Sequence, residues 1–213
     1  MLKGNVKKIY DVFQPGLRRG AERLAFAPHK QYFYVEHPLE GWRVYLRSCA
    51  FIHDNSKQFS AKDFVVVKRK GAHYSTATWE PPKGQMEWKD TPGGKGSLVQ
   101  LLTENIEREM FEEAYIKNTV SLKHTGLVFQ GQETNYPENH YFQYHIFQGF
   151  ITPKEIDNIF SYYDWLKEHP KAFARMRKDR QEKDAIDWFN PRRTPINPRW
   201  CPSIVSLYLK EYS

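Results

Sequence analysis

One long helical signal, lying between two sets of strand-like segments, constrains the fold of this chain more than any other stretch. From Ser97 the sequence reads SLVQLLTENIEREMFEEAYIK, and Leu98, Leu102, Ile106, Met110 and Ala114 recur as a single apolar stripe. Ser97 and Gln100 have the Ser-x-x-Gln form of a capping box, which predicts the helix start there. Beside the stripe, Glu109, Glu112 and Glu113 stand at i, i+3 and i+4, which puts three carboxylates on one helix face. Like charges at that spacing repel by roughly 0.2–0.5 kcal/mol per pair. A solvated face with Glu104–Arg108 and Arg108–Glu112 pairs would soften that repulsion. A divalent cation would offset it directly.

The flanking segments set the class. WRVYLRSCAFIHD and FVVVKRK read as strands before the helix, and LKHTGLVFQGQE and HYFQYHIFQGFI as aromatic-rich strands after it. The Gly- and Pro-rich stretch GAHYSTATWEPPKGQMEWKDTPGGKG reads as loop. Residues 152–180 predict two helices split at Pro170, DAIDWFN a short edge strand stopped by Pro191, and PSIVSLYLKEYS a closing amphipathic helix. Earlier, RGAERLAFAPHKQYFYVEHP predicts a short helix and then a strand. Strands alternating with helices in this order imply an α/β sandwich with a mixed sheet.

The 213 residues suit one generous domain, and the 15% aromatic content argues for a packed core. No apolar run reaches the roughly 18 residues of a membrane span, so no membrane partner is expected. MLKGNVKKIYDVFQPGLRRG lacks the apolar core and cleavage site of a secretory signal. Cys49 and Cys201 offer no disulfide framework and read as reduced thiols of a cytoplasmic or nuclear compartment. The net charge of +7 favours polyanionic partners: nucleotides, RNA or inositol phosphates. GGKGS is not a P-loop, because the spacing of its glycines is wrong, and the histidines show no zinc spacing.

PPKG at 81–84, followed by REMFEEAYI at 108–116, resembles the signature box of the Nudix hydrolases. Arg108, Glu109, Met110, Glu112, Glu113 and Ile116 match that pattern position for position. Five residues after Gly84 stands Asp90, a carboxylate where the family has Glu. Two departures stand out. Seventeen residues separate Asp90 from Arg108, which implies an insertion of about ten residues around TPGGKGSLVQ. Gln100, with Gly94 ahead of it, is the alternative occupant of the Glu position. Tyr115 replaces the Gly that ordinarily ends the helix, so the helix is expected to run a turn longer.

The resemblance implies a Nudix-type α/β/α sandwich with a mixed sheet and a catalytic helix, over residues 42–213, with residues 1–41 as an extension and a helical insert at about 152–180. It implies attack of water on a phosphoanhydride with Mg²⁺ or Mn²⁺ as cofactor. Glu109, Glu112, Glu113 and the Gly84 carbonyl would hold the metal, and Arg108 would orient the glutamates. Lys83 is a candidate phosphate contact. EKDAIDWF resembles the late segment that supplies a further carboxylate in diadenosine tetraphosphate hydrolases, which makes Glu182 the candidate base, with Glu133 and Glu138 as rivals. Arg177 and Lys178 would then sit on a lid above the phosphates. Tyr74, Trp79, Trp88 and Tyr136 are core residues or base-stacking platforms.

The linkage is better specified than the group attached to it. Capped RNA 5′ ends, dinucleoside polyphosphates and diphosphoinositol polyphosphates all suit the basic balance. A non-catalytic Nudix fold that binds RNA or protein is the rival from another class, supported by the missing Glu and Gly of the box.

Overall fold

The structure, a computed structural model, describes residues 8–25 and 27–213; the first seven residues of the expected extension lie outside the described residues. Its centre is a six-stranded mixed sheet. The path runs β1 (Arg18–Glu22), β2 (Tyr32–Glu36), β3 (Arg43–Asp54), β8 (His140–Ile151) and β7 (Ser121–Gly131), and β6 (Lys83–Gln85) pairs with the middle of β3 at Arg47–Cys49. β3 and β8 are parallel over their full length, and the remaining pairs are antiparallel. A second, antiparallel sheet has the order β5 (Trp79–Glu80), β4 (Val65–Arg69), β9 (Lys183–Trp188).

The two-residue period of β3 divides the core in two. Val44, Leu46, Ala50 and Ile52 join a cluster that contains Leu102, Ile106 and Met110 of α1 (Leu98–Ala114) and Ile159 and Tyr163 of α2 (Pro153–Glu168). Tyr45, Cys49 and Phe51 face the other way, toward Ile204, Val205 and Tyr208 of α4 (Cys201–Tyr212). Phe51 and Tyr208 stack at 3.8 Å between centroids. The result is a helix–sheet–helix sandwich. Each fully buried Leu, Ile or Phe contributes about 1.5–3 kcal/mol relative to exposure, so these two clusters supply the main drive for folding.

Four local expectations are corrected. Arg18–Glu22 is a strand and not a helix, because its backbone pairs with β2 and Gly20 lies beneath the Tyr34 ring, where a side chain would not fit. The stretch expected as loop between residues 71 and 96 carries β5 and β6. Their partners, Val67 and Ser48, are remote in sequence, and Pro81, Pro82 and Gly84 mask any alternation. Ser97 stands at the helix N-cap without a side-chain cap bond, and Gln100 donates instead to Glu104 at 2.9 Å. The helix does not run on past Ala114. Tyr115 takes the left-handed conformation (φ 58°), and the Tyr115 and Ile116 N–H groups close the last turn on Phe111 and Met110.

Pro170 splits the late helical region as expected, into α2 and the short α3 (Pro170–Phe173). β1 and β2, from the segment expected as an extension, belong to the central sheet. Further upstream the chain is tied across β7 and β8: Gln130 accepts the Tyr10 N–H at 3.0 Å, and Gln143 donates to the Tyr10 carbonyl at 2.7 Å. Among the described residues, no helix is long and apolar enough to cross a membrane.

Candidate active site

α1 delivers its glutamates to one place because β6 lies against it. Gly84 pairs with Ser48 of β3, and a Cβ built on Gly84 would coincide with the Glu109 carboxyl group. Only glycine lets the strand backbone approach a carboxylate this closely. One turn earlier, Asn105 donates to the Ser48 hydroxyl and so fixes the rotation of α1 on the sheet. Arg108 then gathers the neighbouring acids. Its Nη2 donates to Asn105 Oδ1 at 2.9 Å and Glu109 Oε1 at 2.7 Å, its Nη1 to Glu112 Oε2 at 2.6 Å, and its Nε lies 3.4 Å from Asp90.

Asp90 therefore meets the arginine of the cluster, whereas Gln100 is exposed and paired with Glu104. The residues between them leave the site: Arg19 donates to the Gly94 and Gly96 carbonyls, at 2.8 Å each, and pins that part of the insertion to β1.

Glu113 has different partners. One of its oxygens accepts the Lys83 N–H at 2.9 Å, and the other lies 3.0 Å from the Lys183 ammonium. Tyr163 of α2 donates to its carbonyl. Lys183 also binds Glu80, which in turn takes Lys83 Nζ at 3.0 Å and Asn197 Nδ2 at 2.9 Å. Although burial opposes it, the two lysines hold the Glu80 carboxyl down at about 2.

Glu182 comes in from the late segment. It follows a 3-10 turn (Lys178–Gln181) and directly precedes β9, and its carbonyl accepts the Lys70 N–H at 2.8 Å. Burial raises its carboxyl above the ordinary value, and Glu113 and Glu112 add to the shift against Lys183 and Lys30. Burial likewise pushes Glu109 up to about 8, with repulsion from Glu113 and Glu112 that Arg108 does not cancel. The negative charges of Glu112 and Glu113 thus act on both Glu109 and Glu182.

Not every candidate is brought here. The Lys83 ammonium is turned to Glu80 and does not face an open phosphate position. Arg177 is 77% exposed and pairs with Asp179, and Lys178 is exposed. Instead Arg180 lies over the Phe111 ring of α1 at 4.2 Å. Glu133 is held on the opposite sheet face by Arg47, Arg199 and Trp200, and Glu138 is exposed. Trp79 is buried, donating to the Tyr74 carbonyl, and Trp88 stacks on Phe33. Sequence reasoning missed Lys183, Glu80 and Asn105. The available signal was a charged or polar residue at an inward strand or helix position, which for Lys183 is the first residue of β9.

Among the described residues, no three His, Cys, Asp or Glu side chains already stand at metal-ligand spacing. The glutamates close instead on Arg108 and Lys183. The donor set still suits a hard divalent ion, because it is all carboxylate oxygen, and the Gly84 cradle holds Glu109 against a side-chain-free strand.

No protein-family profile matches the chain, and no curated protein does. Solved Nudix structures are similar to it in fold. A NUDIX hydrolase from Nitrosomonas europaea is 13% identical, with 79% of this chain and 90% of that one covered and a TM-score of 0.45. The NUDIX domain of Shewanella oneidensis NrtR, solved with ADP ribose, is 7% identical, with coverage of 84% and 94% and a TM-score of 0.47. A C. elegans Ap4A hydrolase in a binary complex is 16% identical, with coverage of 78% and 94% and a TM-score of 0.43. Identities this low concern fold only.

Proposed function

We propose that this chain is a Nudix-type hydrolase that cleaves a phosphoanhydride bond in a nucleoside diphosphate-linked substrate, such as a dinucleoside polyphosphate or a capped RNA 5′ end. One observation supports the reading: Glu109 packs against the side-chain-free backbone of Gly84, and burial together with Glu113 and Glu112 of the same helix raises the carboxyl of Glu182 from a remote segment. A scaffold role alone gives no reason for Glu112 and Glu113 to repel the carboxyls of both Glu109 and Glu182.

Glu109 and Glu112, with the Gly84 carbonyl, would hold Mg²⁺ or Mn²⁺, and Glu113, held by Lys183, would add its charge beside them. When bound, such an ion neutralises phosphate oxygens and orients water for attack at phosphorus. Glu182 is the proton acceptor. Its raised carboxyl is a better base than an ordinary one, and the attacking water loses its proton to it as the bridging P–O bond breaks. The electron pair of that bond leaves with the departing phosphate or nucleotide. Arg108 keeps Glu109 and Glu112 aimed at the same point. The net charge of +7 favours a polyanion as the rest of the substrate.

The Arg108 and Lys183 pairings favour a second reading, a Nudix-fold binding module without turnover. A panel of dinucleoside polyphosphates, capped oligoribonucleotides, nucleotide sugars and diphosphoinositol polyphosphates separates the two. The hydrolase reading expects Mg²⁺- or Mn²⁺-dependent release of phosphate or nucleotide. Tight binding of one substrate with no turnover under any metal establishes the module.

A further inference from the structure

Glu113 is set apart from the other glutamates of the helix face. Glu109 and Glu112 share the guanidinium of Arg108, whose side chain is 25% exposed, whereas Glu113 is 4% exposed and meets the ammonium of Lys183, itself 6% exposed. Both Glu113 oxygens have partners, Lys183 Nζ at 3.0 Å and the Lys83 N–H at 2.9 Å. Behind them, Lys83 and Lys183 balance Glu80 and Glu113, with Asn197 and the Cys201 thiol completing the shell around Glu80. Removing one member of such a buried set leaves an uncompensated charge, so the set resists opening. Lys183 is thus a cation that the chain supplies itself, tethered to a strand and unable to dissociate.

Resting on the hydrolase reading above, we infer that Lys183 stands beside Glu113 in place of a second divalent ion, so that the carboxylate face takes one such ion. Lys183 is a positioning residue: it holds the Glu113 carboxylate and lends its charge to the cluster, while the exchangeable ion is taken nearer Glu109 and Glu112.

Titration of Mn²⁺ into the full chain without substrate, followed by calorimetry and electron paramagnetic resonance, tests this. The expected result is one Mn²⁺ per chain with the signal of an isolated ion, and the same for Lys183→Arg. Lys183→Met should take a second Mn²⁺, show spin coupling between the two, and gain more thermal stability from Mn²⁺ than the wild type. If Lys183→Met does not fold without metal, Lys183→Met/Glu80→Gln restores the charge balance and is measured instead. Two spin-coupled ions in the wild type, or one ion in the methionine variant, overturn the inference and leave the hydrolase reading standing. No bound Mn²⁺ at all in the wild type overturns both.

Discussion

Gly84 and Glu182 are the positions where single side chains decide most. The strand backbone at Gly84 comes so close to Glu109 that even a methyl group displaces the carboxylate. Gly84→Ala should therefore weaken Mn²⁺ binding and lower kcat/KM by about 10²-fold or more, because ligand geometry is lost while the core is untouched. Wild-type Mn²⁺ affinity in that variant would show that Glu109 is no ligand. Glu182→Gln removes the proton acceptor and keeps the shape. It should lower kcat by about 10²–10⁴-fold with little change in KM. An equal rise in KM with kcat preserved would assign Glu182 to substrate binding.

At the scale of elements, the end of α1 shows how a local rule is broken. Tyr115 occupies a left-handed conformation that costs an L-residue roughly 1–2 kcal/mol relative to helix. Its ring stacks on Tyr162 of α2 at 3.5 Å between centroids and 6° between planes, with the Lys117 ammonium over it at 4.3 Å. Such stacking returns about 0.5–1.5 kcal/mol beyond area burial. Two variants separate the terms. Tyr115→Gly loses the ring but also the backbone strain, while Tyr115→Ala loses the ring and keeps the strain. Denaturant unfolding should find the glycine variant about 1 kcal/mol more stable than the alanine variant, and equal stabilities would rule out the left-handed cap.

For the whole molecule, pH acts on stability from both sides. His145, buried on β8 and 3.0 Å from His124 across β7, is pushed down to about 3 by burial and by its neighbour. The unfolded chain takes up that proton near the ordinary value of about 6.5. The contribution of neutral His145 is therefore complete above about pH 6.5 and is lost as pH falls toward 3. Glu109 acts in the opposite sense. Its carboxyl titrates at about 8 when folded, so it favours the folded chain at pH values below the unfolded carboxylate range and loses that contribution as pH rises through 8. Thermal melts across pH 4–9 should show both limbs without divalent metal. His145→Gln should flatten the acid limb and Glu109→Gln the alkaline one. Unchanged slopes in both variants would place the titrating groups elsewhere.

From sequence alone, the mixed α/β class, the four long central strand and helix signals and the acidic helix face follow directly. They rest on periodicities of two and four residues that each segment carries by itself. Arg108, Glu109, Glu112 and Glu113 were legible for the same reason, being turns of one helix. What the tertiary structure alone decided is everything that depends on pairing at a distance. β5 and β6 are short, broken by prolines and glycine, and become strands only because β4 and β3 offer them hydrogen bonds. Tyr115 ends the helix because Tyr162, 47 positions later, holds its ring. Nothing in the sequence singles out Lys183, and only the fold brings it between Glu80 and Glu113, where burial turns a commonplace charge into a fixed counter-ion.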